Sequence, residues 1–336
     1  MRDLDRLIAS SHRFGMKVVP YTGIRIVHQE VAEYPANIRQ WRDQYIPNSN
    51  TMHFPVGHSP GASAGGIVCP DCASWRRFYL RHVKTLLRRH DFDGIYVDLP
   101  NKVSCYNTEH GPAHHGGIDG LWEVLTDVRR ELGPDKLLTV HNEDVKMLVA
   151  LNNLADLAGT LEAFNSGKAS NWNLSSIAPY LRAFPACPTL MIPAYAWNWS
   201  PTPAKARACL QDGIAKALVL GTIPFHLEIY WEAHAWGYKD IWQSLDDPRS
   251  IYELFRKIRA LKLDGMPFDD IFTGAVKTSH KGVLGARYRG KGRQIVVLSN
   301  LSGRVVRGVR WRCGNQSGRV SKMGISDYQF IVIKTP

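Results

Sequence analysis

The chain has 336 residues, of which 44% are hydrophobic and 21% charged, a size and balance that suit one large globular domain plus a small one. Six cysteines are too few for a disulfide framework at this length, and no apolar run approaches the roughly 18 residues of a membrane span. The formal net charge of +12 invites a polyanion-binding reading, but the basic residues are dispersed, from Arg76, Arg81 and Arg88 to Arg287, Arg304 and Arg312, so a solvated surface is expected and no nucleic-acid partner.

Met1 to Arg6 is charged and lacks the apolar core of an export signal, which makes a cytoplasmic location the default expectation. Leu4 to Phe14 reads as a helix stopped by Gly15, and Met16 to Tyr21 as a strand. A long loop, Thr22 to Asp71, follows, rich in Gly, Pro, His and aromatic residues. At its end, Cys69-Pro70-Asp71-Cys72 has metal or redox spacing but no second pair. Cys105, His110, His114 and His115 lie downstream and could complete a site. Tetrahedral sites usually show clearer ligand pairs, so no metal or cofactor is expected. The loop then simply leads into a helix, with Asp71 or Ser74 as cap.

An amphipathic helix from Trp75 to His90 precedes Asp93-Gly94-Ile95-Tyr96-Val97-Asp98-Leu99-Pro100, a β-branched and aromatic run that ends in a carboxylate. A helix from about Gly120 to Leu132 closes on Gly133-Pro134. Leu137 to His141 is a strand that opens into Asn142-Glu143. A short helix near Val145 to Asn152 leads to a strand at Leu157 to Leu161 and then Glu162. Thr189 to Ala194 is a strand running on to Trp197 and Trp199, and Pro203 to Leu218 is a helix. Thr222 to Phe225 is the last strand of the set, with His226 and Glu228 beyond it, and Ile251 to Leu261 is a helix.

Six strand-then-helix units in a row predict a parallel sheet. Polar or aromatic residues follow nearly every strand, at Thr22, Asp98, Glu143, Glu162, Trp197 and His226. Loops that each contribute to one rim are what a (β/α)8 TIM-type barrel provides. Six units are two short of eight, so the barrel is expected to lack its first two strands in this sequence. From about Pro267 short strands alternate with glycine turns: Gly282 to Tyr288, Gln294 to Asn300, Val305 to Trp311 and Tyr328 to Ile333. The reading is therefore a barrel domain over residues 1–266 and a small antiparallel β-sandwich over 267–336.

Asp98, Glu143 and Glu162 end consecutive predicted strands, and strand ends of a barrel converge on one cavity. Paired carboxylates suit glycoside hydrolysis, in which one protonates the leaving oxygen and the other attacks the sugar carbon or activates water. Aromatic residues in the loops, notably Trp197 and Trp199, offer flat faces for sugar rings. Tyr21, His141, Asn142, His226 and Glu228 are further candidates for substrate contact.

The run from Cys69 through Trp75 and Tyr79 to DGIYVDLP, then Cys105-Tyr106-Asn107 and His110-Gly111, resembles the barrel of glycoside-hydrolase-like proteins near glycoside hydrolase family 123. It is more loosely similar to the α-galactosidase clan. RFGMKVVPYTG resembles the third strand of such barrels. By that resemblance DGIYVDL, HNE, LEAF, TLMIPAYAW and TIPFHLE would be the fourth to eighth strands. The resemblance implies that Asp98 is the nucleophile or charge stabiliser. Glu162 stands slightly ahead of Glu143 as acid/base. Family 123 uses an adjacent Asp-Glu pair, whereas this chain has Glu143-Asp144 in the reversed order. The expected function is retaining hydrolysis of O-glycosidic bonds, with a carbohydrate substrate. The alternatives are a non-catalytic carbohydrate-binding or scaffold protein derived from such a barrel, and a basic polyanion binder.

Overall fold

A computed structural model describes residues 2–43, 53–55, 64–98, 105–112, 115–141, 157–160, 189–191, 203–224, 249–263 and 266–335. The chain divides into two units, Met1–Gly159 with Ala183–Pro188, and Thr160–Arg182 with Thr189–Pro336.

The first unit runs α1 (Arg2–Arg13), β1 (Tyr21–Gly23), β2 (Ile26–His28), α2 (Tyr34–Trp41), β3 (His53–Pro55), β4 (Ala64–Ile67), α3 (Ala73–Arg89), β5 (Gly94–Asp98), α4 (Ile118–Leu132), β6 (Leu137–Val140) and β7 (Leu157–Thr160). Strands β1, β5, β6 and β7 lie side by side and parallel, with Gly23 opposite Asp98 and Val97 opposite Val140. Ile95 and Val97 of β5 are fully buried. A Cβ at Gly94 would lie 2.1 Å from the Leu137 carbonyl oxygen, so the β5–β6 approach requires glycine there. Among the described residues β5 is the one parallel partner of β1, and the parallel strands do not close into a ring.

The predicted strand at Met16 to Tyr21 sits later, at Tyr21–Gly23. Val18 and Pro20 still accept hydrogen bonds from the amides of Asp93 and Tyr96 at 2.9 Å each. Pro20 has no N–H to return, which interrupts a regular ladder. The predicted loop from Thr22 to Asp71 holds more structure than its composition suggests: α2 and a three-stranded antiparallel sheet in the order β2–β4–β3. β4 reads Ala-Gly-Gly-Ile, without the β-branched run that marks a strand.

The apolar face of α3 carries Trp75, Phe78, Tyr79 and Val83, spaced as one helical stripe. Trp41 packs on it at ring distances of 5.2 Å to Trp75 and 4.8 Å to Phe78. The Trp75 indole donates to the Ile24 carbonyl at 2.8 Å. Neither cap expected for α3 is used as such. Cys72 occupies the N-cap position without a side-chain bond. Asp71 instead accepts from the amides of Gly117 and Gly120 at 2.8 and 2.9 Å, satisfying the start of α4.

In the second unit β8 (Thr189–Met191) pairs in parallel with β9 (Ile223–Pro224), with α5 (Pro203–Leu220) between them in sequence and α6 (Arg249–Ala260) after them. Seven strands follow: β10 (Phe268–Asp269), β11 (Val276–Thr278), β12 (Val283–Gly290), β13 (Arg293–Asn300), β14 (Val306–Cys313), β15 (Gln316–Met323) and β16 (Tyr328–Lys334). They form two antiparallel sheets, ordered β10–β12–β13–β16 and β11–β14–β15. Val296 and Leu298 of β13 join Val309, Trp311 and Met323 in a core shared by the two sheets. Val297 faces the other way, onto Ile214 and Leu218 of α5 and Leu254 of α6. A strand covered on both faces reads as an unbroken apolar run, as Ile295 to Leu298 does. The sequence pattern finds β12, β13, β14 and β16 but not β11 or β15. β15 is a mostly exposed edge strand of polar residues, in which Val320 and Met323 face inward.

The predicted helix at Val145 to Asn152 lies outside the described residues. No helix is long and apolar enough to cross a membrane among the residues described.

Candidate active site

Two carboxylates in different surroundings flank β5, Asp93 just before it and Asp98 at its last position. At the N-terminal end, Asp93 accepts from the Val18 amide at 2.7 Å and lies 2.9 Å from His12 Nε2, tying the segment after α1 to the strand. At the C-terminal end, Asp98 is only 8% exposed. The Tyr21 hydroxyl donates to its Oδ2, and His141 Nδ1 lies 3.4 Å from its Oδ1.

Register explains this convergence. Tyr21 pairs with Tyr96 across the β1–β5 ladder, and Tyr96 and Asp98 project from the same face of β5 because side chains alternate. The Tyr21 and Tyr96 rings stack at 5.2 Å with an interplanar angle of 17°. His141 directly follows β6, its amide donating to the Val97 carbonyl at 2.8 Å. Its Nδ1 is 2.8 Å from the Tyr96 hydroxyl. Beneath this row, Thr22 Oγ1 donates to the Tyr96 carbonyl at 2.8 Å. That uses its one proton, so the Tyr79 hydroxyl, 2.7 Å away, donates to Thr22. Burial, eased by the Thr22 contact and reinforced by the Asp98 charge, pushes the Tyr79 phenol up, so it stays a neutral donor.

The structure thus brings together three sequence-predicted residues, Asp98, Tyr21 and His141, and adds Tyr96. The period-two alternation of β5 was the signal for Tyr96, which stands two positions before Asp98 on the same face. Tyr21 is 65% exposed, so part of its ring surface reaches solvent beside the carboxylate. A carboxylate held at a strand end by a phenol donor, next to an imidazole and an open aromatic surface, can act as a nucleophile or stabilise a developing cation. Glu143, Glu162, Asn142, Trp197, Trp199, His226 and Glu228 lie outside the described residues.

No protein-family model matches the chain, and no curated protein is similar to it. Solved structures are. An α-amylase from Anoxybacillus is similar with a TM-score of 0.61 at 12% identity, over 100% of this chain and 80% of its own. An α-glucosyl transfer enzyme gives 0.62 at 12% identity, over 99% and 85%. An α-amylase from H. orenii gives 0.59 at 12%, over 99% and 83%. At these identities the likeness is one of fold: an α/β-barrel type of architecture, its parallel strands not closed among the described residues, followed by C-terminal antiparallel β-structure.

Proposed function

We propose that this protein hydrolyses O-glycosidic bonds of a carbohydrate by a two-carboxylate, retaining mechanism, with Asp98 as nucleophile or charge stabiliser. The observation that carries the reading is the Asp98 site: a nearly buried carboxylate at the C-terminal end of a parallel strand, held by Tyr21 and flanked by His141. Active sites of barrel enzymes stand at that end of the strands. Glu162, ahead of Glu143, is the proposed acid/base, in keeping with the resemblance to the α-galactosidase clan, whose acid/base comes from the sixth strand. Trp197, Trp199, Asn142, His226 and Glu228 are proposed to contact the sugar. The barrel is proposed to end near Pro267, where the β-sandwich begins.

In the retaining scheme the Asp98 carboxylate attacks the anomeric carbon while the acid/base protonates the leaving oxygen. Water then hydrolyses the glycosyl-enzyme ester with the same residue acting as base. Tyr21 donates to Asp98 Oδ2, and Oδ1, 3.4 Å from His141 Nδ1, is the oxygen proposed to attack.

The test is proton NMR of the full chain acting on a panel of aryl glycosides. Release of the sugar with its anomeric configuration retained supports the proposal. Binding on a glycan array without turnover on any member supports the second reading, a carbohydrate-binding protein on a glycosidase scaffold, which the exposed Tyr21 ring favours.

A further inference from the structure

Away from Asp98, the first unit gathers two cysteines and two histidines that the hydrolytic reading does not use. Cys69 follows β4, Cys105 and His110 lie in the segment after β5, and His115 stands just before α4. Cys105 and His115 face each other in an antiparallel bridge and exchange both backbone hydrogen bonds, at 2.8 and 3.0 Å. Directly opposed residues project to the same side, so their side chains leave together. The Cys69 amide donates to the Trp41 carbonyl at 2.9 Å, which fixes the third strand of chain at the cluster.

The four ligand atoms, Cys69 Sγ, Cys105 Sγ, His110 Nε2 and His115 Nε2, all lie within 4.8 Å of one another. Cys69 Sγ is 3.4 Å from His115 Nε2, Cys105 Sγ is 3.6 Å from His110 Nε2, and the two Nε2 atoms are 3.1 Å apart. A tetrahedral zinc ion with Zn–S of about 2.3 Å and Zn–N of about 2.0–2.1 Å needs ligand-to-ligand edges of about 3.3–3.8 Å. Those three edges are within a few tenths of an ångström of that figure, and the remaining three do not exceed 4.8 Å.

Proton positions provide a second, independent argument. His110 Nδ1 is 2.6 Å from the Gln40 carbonyl oxygen, and His115 Nδ1 is 2.9 Å from the Pro112 carbonyl oxygen. A carbonyl only accepts, so each Nδ1 carries a proton, and when both rings are neutral each turns its Nε2 lone pair toward the other. Two such lone pairs repel unless a proton or a metal cation lies between them. Histidines that donate Nδ1–H to a carbonyl and present Nε2 are arranged as metal ligands are. Both cysteines are fully buried.

We propose that Cys69, Cys105, His110 and His115 bind one zinc ion in a closed, structural site. Binding releases the two thiol protons. Four protein ligands leave no open position for substrate or water, so the ion acts as a staple. It joins the segment that follows β5, the strand ending in Asp98, to the starts of α3 and α4. Cys72, despite its Cys-x-x-Cys spacing from Cys69, stands outside this group of ligand atoms and has its sulfur 3.3 Å from Ser74 Oγ. His114 is outside the described residues.

The test uses the full chain purified under reducing conditions, with metal content measured by mass spectrometry and cobalt(II) exchanged for zinc. The wild type is expected to hold about one zinc per chain and to show the thiolate-to-cobalt charge-transfer band of a tetrahedral site. Cys72→Ser is expected to keep both, whereas Cys105→Ser and His115→Gln lose them. Because ligand variants can misfold, the wild type and Cys72→Ser carry the decision. Reduced wild-type protein that takes up no zinc and gives no cobalt band overturns the proposal. So does a Cys69–Cys105 disulfide in the protein as purified, or loss of the ion in Cys72→Ser.

Discussion

Asp93 and Asp98 bracket one strand, and their surroundings separate their roles. Burial works to raise the Asp93 pKa, but the Val18 amide, the His12 ring and the Lys17 charge bring it below the ordinary carboxylate value. A depressed folded-state pKa stabilises the protein above the unfolded value of about 3.9, and the benefit is lost as pH falls through the lower folded value. Asp93→Asn is therefore expected to lower Tm at neutral pH, with the gap to wild type shrinking below about pH 4. Thermal melts of both proteins across that range check it, and a gap that widens in acid would contradict it. Asp98 was legible as a functional candidate because a carboxylate closing an apolar strand has no reason of packing to be there. His110 and His115 were legible as residues that could complete a site with Cys69, but not as a site expected to hold a metal. Their ligand geometry comes from an antiparallel bridge between segments that the sequence shows only as loop.

At the level of elements, regular periodicity was readable and imposed structure was not. α3 shows its buried stripe plainly, and β13 shows by its unbroken apolar run that it is covered on both faces. β4 and β15 form because partners supply their ladders, so their own residues give no signal. Leu298 of β13 is fully buried between the two C-terminal sheets. Leu298→Ala is expected to cost about 2–5 kcal/mol of stability, measured by denaturant unfolding. A loss under about 1 kcal/mol would mean that the two sheets do not share a packed core there.

For the whole molecule, alternating strands and helices followed by glycine-punctuated β-structure were enough to predict the architecture that α-amylase-type structures share at 12% identity. Sugar identity and linkage were not legible, because loops set them and a barrel tolerates many loops. The net charge of +12 adds no constraint on substrate, since dispersed basic residues set solubility rather than fold. The most direct test of the central claim compares kcat/KM of wild type and Asp98→Asn on an aryl glycoside that the wild type hydrolyses, with matched circular dichroism spectra. Removing the attacking carboxylate is expected to lower kcat/KM by at least about 10³-fold, roughly 4 kcal/mol in the barrier, without unfolding the protein. Unchanged turnover in a folded Asp98→Asn variant would contradict the account.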